Sequence, residues 1–229
     1  MTASRSGTAW TFAYVTMLFF VWGAVTAVND ILIPAVKAIF ALSDTESFLT
    51  QFAFFMAYGV VSLPAAALMG RLGAANSIIV ALATMIAGCL IMPFATIVRE
   101  YAIVLVGLFV IASGITLLQV AANPLSASLG RPERSHFRLV LSQAFNSLGT
   151  VIAPYLAART LLQGGLFEDG PVTEAKIAYS LGRIDVAYIF IAAVIAVLAM
   201  FLYRVRHEIT AAAPPVETGG RVSSAFASP

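Results

Sequence analysis

One acidic residue stands inside an apolar run close to the amino terminus. Asp30 follows Asn29 in the segment TAVNDILIP, where its other neighbours are almost all apolar. An ionised carboxylate at the centre of a bilayer costs about 2.5–3.5 kcal/mol on insertion scales. An acid at this position therefore predicts a proton carrier or a substrate ligand that faces an aqueous cavity. The alternative is that Asp30 lies near the outer interface, where water solvates it.

Amide side chains occur in three further apolar segments, at helical spacing in two of them and in the third as Gln51, which aromatic residues follow at helical spacing. Amides donate and accept hydrogen bonds, so they match sugar hydroxyls, and neighbouring aromatic rings can stack on a sugar ring. The alternative is that they only join helices, each bond contributing about 0.6 kcal/mol. Amides on three helices together with one carboxylate favour a polar cavity. The predicted proton-coupling residue is Asp30, and the predicted substrate-binding residues are Asn29, Gln51, Gln119, Asn123, Gln143 and Asn146.

Other kinds of chemistry find little support in the sequence. The single cysteine, Cys89, cannot form an intrachain disulfide, and His136 and His207 have no partners at metal-ligand spacing. No phosphate loop, dinucleotide fingerprint or nucleophile elbow is present. The net charge of +2 is too small to indicate nucleic-acid binding. We therefore expect no enzymatic activity, no cofactor, no metal site and no nucleic-acid partner.

The amino-acid composition indicates whether water or lipid surrounds the segments that carry these residues. Of the 229 residues, 60% are apolar and 10% are charged, whereas soluble domains usually carry about 25% charged residues. Lipid must therefore surround most of the chain. A helix needs roughly 20 apolar residues to cross a bilayer. Six stretches qualify, and we predict an all-α integral membrane protein with spans at Phe12–Phe40, Phe48–Leu72, Ala75–Thr96, Tyr101–Leu125, Leu139–Leu162 and Val186–Tyr203.

The distribution of basic residues predicts the topology. With the amino terminus inside, the larger share of the 13 Lys and Arg residues lies on the cytoplasmic side. Both termini are therefore expected in the cytoplasm. The predicted domains are a cytoplasmic segment over 1–11, a six-helix transmembrane domain over 12–205, and a disordered cytoplasmic tail over 206–229. Ser43 and Glu46 are spaced as a capping box that begins the second helix.

Several of these segments also resemble a known family when they are taken together in order. They read FVWGAVTAVNDILIP, QFAFFMAYGVVSLPAAALMG, ASGITLLQVAANP and HFRLVLSQAFNSLGTVIAP. They resemble the amino-terminal half of the fucose–galactose–glucose proton symporter family, and LQVAANP and SQAFNSLG are most similar to its glucose/galactose transporter branch. The resemblance implies one half of a major facilitator fold, built from two inverted three-helix repeats. It also implies a bacterial inner membrane location, proton coupling and a monosaccharide substrate.

The resemblance further implies roles for three residues. Asp30 corresponds to the family's protonatable acid on the first helix, and Gln143 to a sugar-contacting glutamine on the fifth. Gln119 lies where the fucose branch has a second acid. The glucose/galactose branch has a glutamine at this position, as this sequence does.

The family's fold has a second six-helix domain that this sequence does not contain. Two functions therefore stay open at this point. The chain forms half of a transport pathway, completed by a second copy or by a separate carboxy-terminal half. Alternatively, it is a truncated or split-gene product that inserts in the membrane but is inactive alone or acts only as a scaffold.

Overall fold

A computed structural model of the chain describes residues 5–161, 164–165, 171 and 173–212. Helices make up most of this part of the chain, and it contains no β-strand. A short 3-10 turn at Pro132–Arg134 leads into the fourth helix. The helices are α1 (Arg5–Ile39), α2 (Asp44–Val98), α3 (Tyr101–Ser128), α4 (Ser135–Leu161) and α5 (Glu174–Ala212).

Helix α2 contains two membrane spans. Its 55 residues would extend for about 80 Å as one straight helix, against a hydrocarbon layer of about 30 Å. The helix breaks at Gly73, where φ is 76° and ψ is 169°, a conformation that is essentially restricted to glycine. The break separates a first arm, 44–72, from a second arm, 74–98. The five helical segments therefore supply six spans, as predicted, with the turn between Leu72 and Ala75.

The beginning of α2 is fixed by the predicted capping box. The Glu46 backbone N–H donates to the Ser43 hydroxyl at 3.2 Å, and the Ser43 N–H donates to the Glu46 carboxylate at 2.8 Å. Both donors would otherwise lack a partner at a helix amino terminus.

Two helices extend well beyond their predicted spans. Helix α5 begins at Glu174 rather than at Val186, because residues 174–185 are helix formers whose charges lower the local hydropathy. It also continues to Ala212, into the predicted disordered tail, since the residues after 206 still favour a helix. Helix α1 begins at Arg5, inside the predicted amino-terminal segment. The rest of both predicted ends, 1–4 and 213–229, lies outside the described residues.

Glycines let the helices approach closely. A Cβ atom on Gly23 of α1 would lie 2.2 Å from the Asn146 carbonyl oxygen of α4, and one on Gly149 of α4 would lie 2.3 Å from the Phe20 carbonyl oxygen. Gly88 on the second arm of α2 meets α3 in the same way, 2.7 Å from the Ile111 nitrogen. In lipid, helix association depends on van der Waals contact of this kind. Two close pairs result, α1 with α4 and α2 with α3.

Arg138 closes the end of the bundle at which α3 finishes. Only 8% of this residue is exposed. Its Nε donates to the Ser126 carbonyl at 3.3 Å, its Nη1 donates to the Arg131 carbonyl at 3.0 Å, and its Nη2 donates to the Ala127 carbonyl. The last carbonyls of a helix have no partners within the helix. Arg138 therefore caps α3 and holds it to the start of α4.

The outer surface of the bundle is apolar. Leu63, Ile97 and Val151 are 80%, 78% and 69% exposed, and each lies on a different span. All five helical segments are long and apolar enough to cross a membrane. An apolar surface of this extent is compatible with lipid rather than with water. The chain is a multi-pass membrane protein.

Candidate functional site

One face of α1 carries the acid together with two further side chains that can bind a ligand. Trp22, Thr26 and Asp30 follow one another at intervals of four residues, so they lie one above the other on the helix. Trp22 and Thr26 are half-buried, and Asp30 is exposed on the surface of the six-helix unit. This face therefore offers an aromatic ring, a hydroxyl and a carboxyl in a single column.

Residues of two other helices, α2 and α3, lie near this face of α1. Tyr58 lies on the first arm of α2, and its hydroxyl is next to the side chains of Thr26, Trp22 and Gln119. Gln119 is a half-buried residue of α3. Asp30 is close enough for its charge to act on the Tyr58 hydroxyl. We call this group the acid cluster: Trp22, Thr26, Asp30, Tyr58 and Gln119.

The acid cluster contains a hydroxyl that has no partner. The Thr26 oxygen is buried and makes no hydrogen bond with the described residues, although the Tyr58 hydroxyl lies nearby. Leaving a buried polar atom unpaired costs about 1–3 kcal/mol. A ligand hydroxyl that reaches Thr26 would recover this cost, so the cluster is suited to a polyhydroxylated molecule.

A second polar contact joins α3 to α4. The Gln143 Nε2 donates to the Asn123 Oδ1 at 3.4 Å, and both residues are half-buried. The bond is long, near the limit of hydrogen-bond geometry. Asn123 lies one helical turn after Gln119 on α3, so this amide pair continues the polar face that begins at the acid cluster.

Two other predicted ligands are engaged in helix packing. Asn29 is 4% exposed, and its side-chain oxygen accepts a hydrogen bond from the Tyr188 hydroxyl of α5 at 3.1 Å. The Asn146 side-chain nitrogen donates to the Phe19 carbonyl of α1 at 3.0 Å. Both amides therefore use part of their hydrogen-bonding capacity between helices, and only the remaining groups are available to a substrate.

Gln51 lies apart from the other candidates. It is exposed on the first arm of α2, seven residues before Tyr58. This spacing places it on nearly the same side of the helix, about 10 Å along the axis. Gln51 can thus contribute to the same side of the unit but not to the same contact.

Trp22, Thr26 and Tyr58 were not predicted as site residues from the sequence. The sequence could have indicated Trp22 and Thr26, because their spacing with Asp30 puts all three on one helix face. No group of three or more potential metal ligands exists among the described residues.

The amino-acid sequence matches the family model described as Major Facilitator Superfamily over residues 9–227. The chain belongs to the major facilitator superfamily. This is a family of transporters rather than of enzymes, and the predicted resemblance is confirmed.

Two relatives show which members of this superfamily the chain is similar to. The chain is 42% identical over 199 residues to a glucose/galactose transporter of Brucella abortus, covering 87% of this chain and 47% of the relative. It is 33% identical to the L-fucose-proton symporter of Escherichia coli, covering 83% of this chain and 45% of that protein. The chain spans about half the length of the curated relatives that it matches.

Solved structures agree with this placement. A crystal structure of the E. coli fucose:proton symporter, FucP, matches with a TM-score of 0.72 and 28% identity, over 86% of this chain and 49% of the symporter. A structure of FucP in the outward conformation matches with the same TM-score and 30% identity. The all-helical, six-span fold is therefore that of one half of a major facilitator transporter.

Proposed function

We propose that this chain forms one half of a proton-coupled monosaccharide transporter in a bacterial inner membrane, with both termini in the cytoplasm. The observation that carries the proposal is the acid cluster, in which a carboxyl on the apolar helix α1 lies near groups that match a sugar. The names of the relatives favour a sugar of the glucose, galactose or fucose type.

In this proposal the sugar binds along the polar face of α1, α3 and α4. The Trp22 ring stacks on the sugar, while Thr26 and Gln119 pair with its hydroxyls. Gln143 and Asn123 extend the site, because their long mutual bond of 3.4 Å exchanges readily for a bond to the substrate. Gln51, Asn29 and Asn146 complete the proposed set, the last two through the amide groups that their helix contacts leave unused.

Asp30 is the proposed proton carrier. It carries the one carboxyl of the acid cluster, whereas Trp22, Thr26 and Gln119 have no titratable group and a tyrosine hydroxyl keeps its proton until about pH 10. Its exposure on the surface of the unit would give it access to a central cavity between this unit and an opposing one. Protonation removes a charge whose burial is costly, so proton loading can be linked to the movement that closes the cavity.

The proposed transport also requires a second unit that faces this one. Alternating access requires two units that rock about a site between them, and the polar face with Asp30 and Gln51 needs cover from lipid. A second copy of the chain or a separate carboxy-terminal half would provide it. If neither does so, the chain inserts in the membrane without transporting sugar.

The proton role is tested by Asp30→Asn in an assembly that transports sugar. The variant should lose accumulation of labelled galactose driven by a pH gradient in proteoliposomes, while it retains exchange of internal for external sugar. Asparagine keeps the shape and hydrogen bonding of the side chain but cannot be ionised, so only the coupled process is removed.

Asp185→Asn is the matched control. Asp185 of α5 is half-buried and accepts a hydrogen bond from Thr96 at 2.7 Å, but it is not part of the acid cluster. Its amide variant should keep both accumulation and exchange. Full accumulation by Asp30→Asn would remove Asp30 from the coupling mechanism.

A further inference from the structure

An apolar groove lies between α1, α4 and α5, away from the acid cluster. Its volume is about 620 Å³, and its lining includes Phe20, Val28, Ile152, Leu156, Phe190 and Val194. Phe190 and Leu156 are 67% and 55% exposed, so the groove opens on the apolar surface of the bundle.

The groove and the acid cluster occupy opposite faces of α1. The lining residues of α1 are Phe20, Val21, Ala24, Val25 and Val28. At about 100° per residue, their mean direction is roughly 180° from that of Trp22, Thr26 and Asp30. A second unit that covers the polar face would therefore leave the groove open to the membrane.

A cation stands at one end of the groove. Arg183 of α5 is part of the lining. It donates from Nη2 to the Thr160 carbonyl, and its guanidinium lies 5.7 Å from the centre of the Tyr179 ring. Its Nε is buried and has no hydrogen-bond partner, and no carboxylate within the described part of the chain forms an ion pair with it. Among the described residues, Arg183 therefore has a donor and a charge without a partner, which an anion would satisfy.

The length of the groove fits one leaflet of a bilayer. On α5 it extends from Arg183 to Val194, a rise of about 16 Å. Half of the hydrocarbon layer is about 15 Å. A molecule with an anionic group at Arg183 and a hydrocarbon chain reaching Val194 would fill both features together.

We propose that this groove is a binding site for an anionic phospholipid, with the lipid phosphate at Arg183 and one acyl chain along α5. The phosphate provides acceptors for the free Nε and neutralises the guanidinium. The acyl chain covers apolar side chains of α1, α4 and α5, which otherwise make few contacts across the groove. The lipid therefore acts as a wedge that fixes the spacing of α4 and α5.

Native mass spectrometry of the purified full-length chain tests the site. Dioleoyl phosphatidylglycerol and dioleoyl phosphatidylcholine, which share their acyl chains, are added at equal concentration. The unchanged chain should bind phosphatidylglycerol in preference. Arg183→Gln should lower that preference by at least about tenfold, since hydrogen bonds to charged groups are the strong ones.

Two further variants test whether lipid binding depends on this groove and on this arginine. Ala187→Leu places a larger side chain in the groove and should reduce binding of both lipids alike. Arg206→Gln removes another arginine of α5, one that lies 4.1 Å from the ring of Tyr203 but outside the groove lining, and it should keep the preference. Circular dichroism and size exclusion check that each variant folds.

Three results would overturn the proposal. The first is an unchanged preference for phosphatidylglycerol in Arg183→Gln. The second is an equal loss in Arg206→Gln, which would mean that any surface arginine of α5 attracts the lipid. The third is a change of oligomeric mass in lipid-free Arg183→Gln, which would mean that Arg183 pairs with an acid of another polypeptide.

Discussion

Polar side chains within the six spans fall into two groups according to their partners. Asn29 and Asn146 have hydrogen bonds to other helices at 3.1 Å and 3.0 Å, and each such bond contributes to the stability of the bundle. The Thr26 hydroxyl is buried and has no partner among the described residues, and Gln119 lies beside the Tyr58 hydroxyl of the acid cluster. A ligand competes with packing at the first pair, whereas at the second it meets the unpaired Thr26 hydroxyl. We therefore expect the second pair to contribute more to sugar affinity.

Replacing the glutamines of the site should weaken sugar binding without uncoupling transport. Gln119→Ala and Gln143→Ala would each leave one or more sugar hydroxyls unpaired, at about 1–3 kcal/mol. This corresponds to a dissociation constant about 5- to 150-fold higher. An amide does not titrate at physiological pH, so the remaining transport should stay proton-dependent.

Calorimetric titration of the transporting assembly with sugar measures this effect. Asn76→Ala is a suitable control, because the Asn76 amide donates to the Leu72 carbonyl beside the Gly73 break and is remote from the acid cluster. Unchanged sugar affinity in both glutamine variants would contradict the assignment.

The type of residue predicted part of the proposed site, and the geometry added Trp22, Thr26 and Tyr58 to it. Asp30 and the amides were predictable because a charged or amide group in an apolar helix is costly whatever surrounds it. Thr26 is different, since a threonine usually bonds to its own helix backbone. Only the packing of the neighbouring helices shows that the Thr26 hydroxyl is buried without a partner among the described residues.

At the level of helices, the close pair of α1 and α4 positions the site. The Asn146 bond to Phe19 and the contacts at Gly23 and Gly149 all lie on this interface. The same α4 carries Gln143, and the same α1 carries Asp30. The packing of two glycines therefore determines how far the proposed proton carrier lies from the proposed sugar ligands.

Adding one methyl group to this interface should destabilise the protein. A Cβ on Gly149 would lie 2.3 Å from the Phe20 carbonyl oxygen, so the backbones must move apart. We expect Gly149→Ala to lower the free energy of unfolding by about 1–3 kcal/mol. Gly182→Ala is the matched control, because a Cβ on this α5 glycine meets nothing within 4 Å, and alanine favours a helix over glycine.

Thermal unfolding in detergent, followed by circular dichroism, compares the two variants. The Gly149 variant should melt at a lower temperature than the unchanged chain, and the Gly182 variant at the same or a higher one. Equal melting of both variants would show that the α1–α4 contact does not limit stability.

The fold was largely predictable from hydropathy. The predicted helix ends were less accurate where charged residues continue a helix. Spans of apolar residues long enough to cross a bilayer have few structural alternatives, because backbone groups in lipid must bond within the helix. The break at Gly73 lies between the predicted second and third spans, which end at Leu72 and begin at Ala75. The early start of α5 at Glu174 was not, since the charged residues that precede Val186 are helical and yet too polar for a hydropathy window.

On the scale of the whole molecule, the polar face should determine assembly. Unpaired polar groups cost several kcal/mol each in hydrocarbon, and Asp30 and Gln51 are exposed on this face. We expect the purified chain to form a dimer in mild detergent when no second half is present. Asp30→Leu removes the charge and should lower the dimer fraction.

Chemical cross-linking and native mass spectrometry report this equilibrium. In a dimer the two Asp30 carboxyls would share one cavity, so their titrations should be coupled. A chain that stays monomeric at all concentrations in mild detergent would contradict the assembly through this face.

The most direct test of the central claim is sugar uptake by this six-helix unit joined to the second half of the Brucella abortus glucose/galactose transporter. The chimera is reconstituted in liposomes with an imposed pH gradient, beside the present chain alone. We predict accumulation of labelled glucose or galactose by the chimera, collapse of that accumulation by a protonophore, and little or no uptake by the chain alone. A folded chimera that takes up no sugar, or a monomer of the present chain that accumulates sugar by itself, would contradict the account.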